Sequence, residues 1–229
     1  MEDLKQFWLI AEADPAAVAR WTSSVRWRNL EDGDPIFDHG EDGDDVAFLV
    51  SGRVRIVVLS EGGRRMALRE MDAGEMIGEM AAIDRRPRSA SVFAAGPARA
   101  ALIPGEAFRD LATSRPALAL RVMGMLADRL RDLTELHAEQ TFLTAGQRLC
   151  AMLMRMSKPR AQAPGQRIVS PPPTHEMLSE MVGCRREVVS RELSALAKAG
   201  AVERSRGGLV LLRPEMLTDR VAEALSGRG

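Results

Sequence analysis

The chain has 229 residues, 45% of them hydrophobic, a length that suits one large domain or two ordinary ones with a proper core. No apolar run approaches the roughly eighteen residues of a membrane-spanning helix, and two cysteines, Cys150 and Cys184, exclude a disulfide framework. A net charge of zero hides an asymmetry: residues 1–143 carry 24 acidic against 18 Lys/Arg side chains, and residues 144–229 carry 8 against 14. A basic C-terminal third is what binding to a phosphate backbone requires.

Phe7–Ile10 and an Ala/Val run from Pro15 to Trp21 predict one or two short helices. From Trp27 to Ile103, apolar runs alternate with Gly/Asp-rich punctuation: Val46–Val50, Val54–Leu59, Met66–Met71, Ser91–Ala94 and Ala98–Ile103. The punctuation includes Ser51-Gly52, Glu61-Gly62-Gly63 and Asp72-Ala73-Gly74. Short strands at this spacing predict an antiparallel barrel or roll. One stretch inside it, residues 76–92, reads instead as a loop with a helical turn. Gly78 lets the backbone approach a ligand, the N–H groups after it are anion donors, and Arg88 offers a planar cation for phosphate. Glu79 can accept from a sugar hydroxyl. Together these read as a pocket for a ribose that carries a phosphate, with a surface turn holding a Glu79–Arg88 ion pair as the bland alternative.

Beyond a short helix at Glu106–Thr113, Pro116 opens a long one reaching residue 141 or 142, with Ser114 near its capping position. Val122, Leu126, Arg129, Leu133, Leu136, Gln140 and Leu143 recur at spacings of four and three, the pattern of a coiled-coil seam. Leu120, Met123, Ala127 and Leu130 widen the apolar face, so one side should pack on the roll and the other should meet a second subunit. Thr144-Ala145-Gly146 marks a hinge. A helix at Gln147–Met156 follows, with Cys150 as a packing residue, and then a loop over 157–173 with room for one short strand.

Thr174 caps a helix with Leu178 and Met181 inward, and Gly183 supplies a tight turn. A second helix starts at about Arg185 with Val188, Val189, Leu193 and Leu196 inward, which is helix-turn-helix spacing. Arg186, Glu187, Ser190 and Arg191 remain outward, and arginine can read guanine while glutamate accepts from the cytosine amino group. Residues 201–212 read as a hairpin wing with Arg204 and Arg206 for phosphates, and Glu215–Leu225 as a last helix. The DNA-contacting set is thus Thr174, Arg185, Arg186, Glu187, Ser190, Arg191, Arg204 and Arg206.

Gly78-Glu79-Met80-Ala81 followed by Pro87-Arg88-Ser89-Ala90-Ser91-Val92 resembles the phosphate-binding cassette of cyclic-nucleotide-binding domains. Val182-Gly183-Cys184-Arg185-Arg186-Glu187-Val188-Val189-Ser190-Arg191 resembles the DNA-reading motif of the cyclic-AMP receptor protein / FNR family. The resemblance spans about residues 27–213 in the family's order. It implies an α+β chain: a β-roll domain at 1–115, a dimerisation helix at 116–143 and a winged helix-turn-helix at 144–229. It further implies a non-enzymatic, homodimeric transcription regulator that binds a pseudo-palindromic operator with half-sites related to TGTGA or TTGAT, with RNA polymerase as a further partner. Ser190 stands where the cyclic-AMP receptor protein has glycine and is similar to the FNR-type readers.

The same resemblance implies a nucleotide-binding set of Ile77, Gly78, Glu79, Met80, Arg88, Ser89, Ala90, Arg129, Leu133 and Thr134. The ribose falls to Gly78 and Glu79, and the cyclic phosphate to Arg88 and Ser89. Leu133-Thr134 stands where the cyclic-AMP receptor protein has Thr-Ser, and a leucine offers no hydrogen bond to a base edge. Cyclic AMP is favoured, cyclic GMP stays open, and a cassette shaped for one phosphate suits a cyclic dinucleotide less well. A ligand-independent DNA-binding dimer is the alternative. Cys150 and Cys184 do not form an iron–sulfur cluster motif, His39 and His137 lack a partner for haem, and no metal-ligand cluster or Ser/His/Asp set stands out. The acidic N-terminus, Met1-Glu2-Asp3-Leu4-Lys5, is unlike a secretory signal, so a cytoplasmic protein off the membrane is expected.

Overall fold

The computed structural model describes residues 2–59, 65–161 and 163–226. It divides into two compact units, residues 1–129 and 130–229. The turn expected at Glu61-Gly62-Gly63 lies outside the described residues.

The first unit begins with two short helices, α1 (Trp8–Ala11) and α2 (Pro15–Trp21), the second started by Asp14, whose side chain accepts from the Ala16 N–H. Eight strands follow: β1 (Arg26–Leu30), β2 (Pro35–Phe37), β3 (Val46–Ser51), β4 (Arg53–Leu59), β5 (Arg65–Asp72), β6 (Met76–Ile77), β7 (Ser91–Ala94) and β8 (Ala98–Ile103). They form two antiparallel four-stranded sheets, β1-β8-β3-β6 and β2-β7-β4-β5. The five strands predicted from apolar runs are present. The charged β1 and the short β2 and β6 go beyond those predictions. Arg26-Trp27-Arg28-Asn29-Leu30 buries only Leu30, and pairing with Ala98–Leu102 of β8 makes it a strand.

Alternation explains the continuous apolar run of β3. Ala47 and Leu49 point into the roll with Leu102, Ile77, Val92 and Met71, while Val46 and Phe48 point out. That outer side is covered by Leu4, Phe7 and Leu9 and by α4 (Gly105–Thr113) and α5 (Pro116–Phe142). Successive residues of one strand thus serve two cores, and such strands lose the polar alternation of a half-exposed sheet.

Two expectations for α5 need correction. Ser114 ends α4 rather than capping α5: its N–H and its Oγ both bond to the Leu111 carbonyl, and the Oγ also accepts from the Asp14 N–H. The first half of the predicted seam faces inward: Val122 is buried, and Leu126 packs against the same core. The exposed apolar side chains of α5 are instead Leu120, Met123, Leu130, Leu133 and Phe142. Both stripes have helical spacing, and burial of one by α1, α4 and β3 leaves the other outside.

The second unit holds α6 (Ala145–Met156), β9 (Lys158–Pro159), β10 (Arg167–Val169), α7 (His175–Val182), α8 (Arg186–Lys198), β11 (Val202–Ser205), β12 (Gly208–Leu211) and α9 (Pro214–Leu225). Its sheet order is β11-β12-β10-β9, one strand more in the 157–173 segment than expected. α6 starts two residues earlier than predicted because Thr144 forms a reciprocal capping box with Gln147. Cys150 is fully buried beside Leu149 and Leu153 in α6, and burial pushes its thiol pKa up, as suits a packing residue.

Candidate nucleotide and DNA sites

The loop between β6 and β7 is organised by α3 (Glu79–Asp84), with Gly78 as its N-cap at φ +94°. A Cβ on Gly78 would stand 2.7 Å from the Asp45 carbonyl oxygen, 2.8 Å from Arg88 Nη1 and 2.9 Å from the Phe37 ring. Glycine is therefore required twice, by the left-handed backbone and by close packing. Arg88 is only 6% exposed. Its guanidinium lies over the Phe37 ring at 3.7 Å from the centroid, and Nη1 donates to the Gly78 carbonyl at 3.3 Å. Backbone bonds to the 40–41 loop hold it there: the Arg88 N–H donates to Glu41 O at 3.0 Å, and its carbonyl accepts from Gly40 N at 2.9 Å. Burial lowers the Arg88 pKa, opposed by the charges of Asp45, Glu41, Asp44 and Glu79. Arginine has five donors, so the bond to Gly78 leaves capacity for an anion.

Glu79 is 3% exposed, and its partner is not Arg88. Oε1 meets Arg129 Nη1 at 2.5 Å, and Arg129 Nη2 donates to the Met76 carbonyl at 2.7 Å. The Glu79–Arg88 turn that would have explained the loop without a ligand is thereby replaced by a carboxylate pinned to α5. Arg109 on α4 completes the frame, bonding to the Ala82 carbonyl and, at 3.1 Å, to Asp44.

Gly78, Glu79, Arg88 and Arg129 are thus brought together. Ile77 is a roll-core residue, and Met80 and Ser89 are exposed, with Ser89 Oγ 3.8 Å from the Met80 sulfur. Ala90 is half-buried. Leu133 and Thr134 belong to the second unit and are exposed; Thr134 Oγ1 donates to the Leu130 carbonyl at 2.8 Å. Phe37, Glu41, Asp44 and Asp45 escaped the sequence reading. They look like ordinary turn and strand residues until chain folding sets them around Arg88. No group of His, Cys, Asp and Glu able to hold a metal occurs among the described residues.

In the second unit, Thr174 Oγ1 accepts the Met177 N–H at 3.1 Å to start α7, and Gly183 ends it at φ +69°. Leu178, Met181, Val189 and Leu196 are buried, and Val188 and Leu193 are half-buried. The turn is held from α6 by Arg148, which donates to Val182 O at 2.9 Å and to Leu143 O at 2.7 Å. Arg185 is the N-cap residue of α8, and Arg186, Glu187 and Arg191 are exposed on it. Arg204 and Arg206 are exposed on the β11–β12 hairpin. Ser190 is half-buried, with Oγ 2.7 Å from His175 Nδ1. His175 was absent from the sequence-derived set. It follows the cap Thr174 directly, but its partner lies fifteen residues on, and only the folded chain pairs the two.

Residues 27–115 match the family model for the cyclic nucleotide-binding domain, and residues 147–220 match that for the Crp-like helix-turn-helix domain. The chain is 31% identical over 213 residues to the cyclic AMP receptor protein of Thermus thermophilus, covering 93% of this chain and 95% of that protein. The chain belongs to the CRP/FNR family. Its fold agrees with a CRP/FNR-family transcriptional regulator from Eubacterium rectale, at a TM-score of 0.76 and 19% identity over 95% of this chain and 99% of that one. It also agrees with the c-di-GMP responsive global regulator CLP of Xanthomonas campestris, at a TM-score of 0.70 and 25% identity over 87% and 99%. As a CRP/FNR member the protein is a DNA-binding regulator of transcription with a cyclic-nucleotide-binding domain ahead of its helix-turn-helix. No helix of the described residues is long and apolar enough to cross a membrane.

Proposed function

We propose that this CRP/FNR regulator is a cytoplasmic homodimer that binds a pseudo-palindromic operator in response to a cyclic nucleotide, cyclic AMP ahead of cyclic GMP, and acts with RNA polymerase. The observation that carries the reading is the buried Arg88 guanidinium beside Gly78, one bond away from the Glu79–Arg129 pair. Arg88 supplies the charge for a single phosphate, and Gly78 the space for its approach. Glu79 supplies the acceptor for a ribose hydroxyl. An acceptor bond made to the ribose loosens the hold of Glu79 on Arg129, so occupancy is felt on α5. Such a ligand shifts DNA binding only as far as its affinities for the two dimer states differ.

The homodimer reading is supported by the exposed face of α5. Leu120, Met123, Ala127, Leu130, Thr134, His137 and Thr141 recur at spacings of three and four, with the leucines and Met123 exposed. This is the partner-facing stripe we assign, in place of Val122 and Leu126. It carries Thr134, a hydroxyl for a base edge, while Leu133 lies off it. Leu133 makes no hydrogen bond, which favours a weakly selective base site and keeps cyclic GMP as the second reading.

Calorimetric titration with cyclic AMP, cyclic GMP and cyclic di-GMP, paired with operator binding, tests the proposal. The expected outcome is saturable heat with cyclic AMP and tighter operator binding in its presence. Arg88→Leu should abolish both. Operator binding by Arg88→Leu that responds to nucleotide like wild type would reject the pocket. Absence of heat from all three nucleotides, with unchanged operator affinity, would identify a constitutive regulator.

A further inference from the structure

A side chain of α7 outside the base-reading set touches the hydroxyl of one of its members. His175, the first residue of α7, sets Nδ1 2.7 Å from Ser190 Oγ of α8, fifteen residues along the chain. A hydroxyl has one proton and two lone pairs, and a neutral imidazole has one N–H and one bare nitrogen. The contact therefore governs the hydroxyl rotor. Against a bare Nδ1, Ser190 spends its proton on the ring and can meet a base only as an acceptor. Against a protonated Nδ1, Ser190 accepts from the ring and its own O–H is released to donate. An acceptor suits the amino groups of adenine and cytosine; a donor suits thymine O4, the N7 and O6 of guanine and the N7 of adenine, so cytosine is the base that a donor rejects.

We propose that His175 is a positioning residue for base readout, whose protonation sets whether Ser190 accepts from or donates to its base and so which base α8 prefers at that step. The inference rests on α8 being the base-reading helix, as proposed above. With the proton of the neutral ring on Nε2, Ser190 is an acceptor. Protonation of the ring reverses the polarity of the bond. The charged groups that act on the ring are Arg204 of β11 and Arg186 of α8; its own helix also carries Glu176 and Glu180. Burial, then Arg204, then Arg186, hold the His175 pKa below its ordinary value of 6.5, so the ring is neutral at neutral pH and protonates only as pH falls below that value. DNA phosphates drawn to the two arginines act in the opposite sense and bring protonation closer to neutrality.

Selection of half-sites from a random DNA pool by the full-length protein tests this, at about pH 8 and about pH 5.5, with and without cyclic AMP, inside the range where histidine changes charge. Wild type, Ser190→Ala and His175→Gln are compared. Wild type should enrich a defined half-site, and Ser190→Ala should flatten one position of it. At that position wild type should prefer adenine or cytosine over thymine and guanine at the higher pH, and at the lower pH cytosine should lose roughly tenfold to thymine or guanine. His175→Gln should give a preference that no longer changes with pH. The wild-type comparison needs no substitution, so a poorly folding variant cannot obscure it. A wild-type half-site that is identical at every position at both pH values overturns the role of His175 and leaves base reading by α8 intact. Failure of wild type to enrich any sequence at either pH overturns both.

Discussion

Gly78 answers two demands at once: a positive φ that L side chains avoid, and a space already bordered by a carbonyl, a guanidinium and a ring. Gly78→Ala should therefore act on stability and on ligand binding together. We expect a loss of about 1–3 kcal/mol in the unfolding of the first unit, measured in denaturant, because a left-handed non-glycine residue costs that much before any clash is counted. The same variant should lose the heat of nucleotide binding, since the added methyl crowds the Arg88 guanidinium as well as the Asp45 carbonyl. A variant as stable as wild type would show that the loop relaxes freely and that Gly78 is not fixed by its surroundings. Glu79 and Arg129 illustrate a related point. Two charges at 4% and 19% side-chain exposure are costly to separate, because each would remain buried without its partner.

Among the elements, α5 and α6 are separated only by Leu143 and Thr144, and the capping box at Thr144 is what makes the break sharp. Its side chain accepts the Gln147 N–H, and the Gln147 side chain accepts the Thr144 N–H in return. Thr144→Ala should cost about 1 kcal/mol in the unfolding of the second unit, whereas Thr144→Ser should cost little. Differential scanning calorimetry of the two variants distinguishes the lost cap from a general effect of substitution. Leu143 is buried next to this cap, and Arg148 bonds back to its carbonyl, so the junction is anchored as well as capped. α5 itself has apolar side chains on both flanks. Leu118 and Val122 are consumed by the first unit's core, and Leu120, Met123 and Leu130 are left over.

For the whole molecule, that leftover stripe predicts assembly. Leu130→Glu places a charge in the middle of the assigned seam at a side chain that is exposed in the chain itself. Sedimentation should show a monomer, and operator affinity should fall by roughly two orders of magnitude as two half-site contacts cease to act together. A dimer that persists with unchanged operator affinity would move the interface elsewhere. The charge asymmetry belongs to this scale too. The surplus of basic residues after position 143 includes Arg186, Arg191, Arg204 and Arg206, all exposed on α8 or the wing. DNA binding by such a surface should weaken steeply with salt.

The sequence by itself determined the parts whose cause is local. Gly78 before a helical turn, Gly183 between two periodic runs, the cap Thr174 and five of the eight described first-unit strands all follow from residue type and spacing within a few positions; the capping box at Thr144 is equally local, though residues 144–146 read as a hinge. The order of cassette, long helix and helix-turn-helix was equally legible, and so was the family. Tertiary structure alone decided the rest. A helix with two apolar stripes does not itself specify which one is buried; the core formed by β3, α1 and α4 selects Val122 over Leu120. Arg26–Leu30 is a strand because β8 lies beside it. Glu79 could have paired with Arg88, nine residues away, yet its partner is Arg129, fifty residues away. Ser190 meets His175 only because Gly183 folds α7 back across α8. Each of these is a choice among partners equally suited in chemistry, and proximity in the folded chain, which residue type and spacing do not encode, makes the choice.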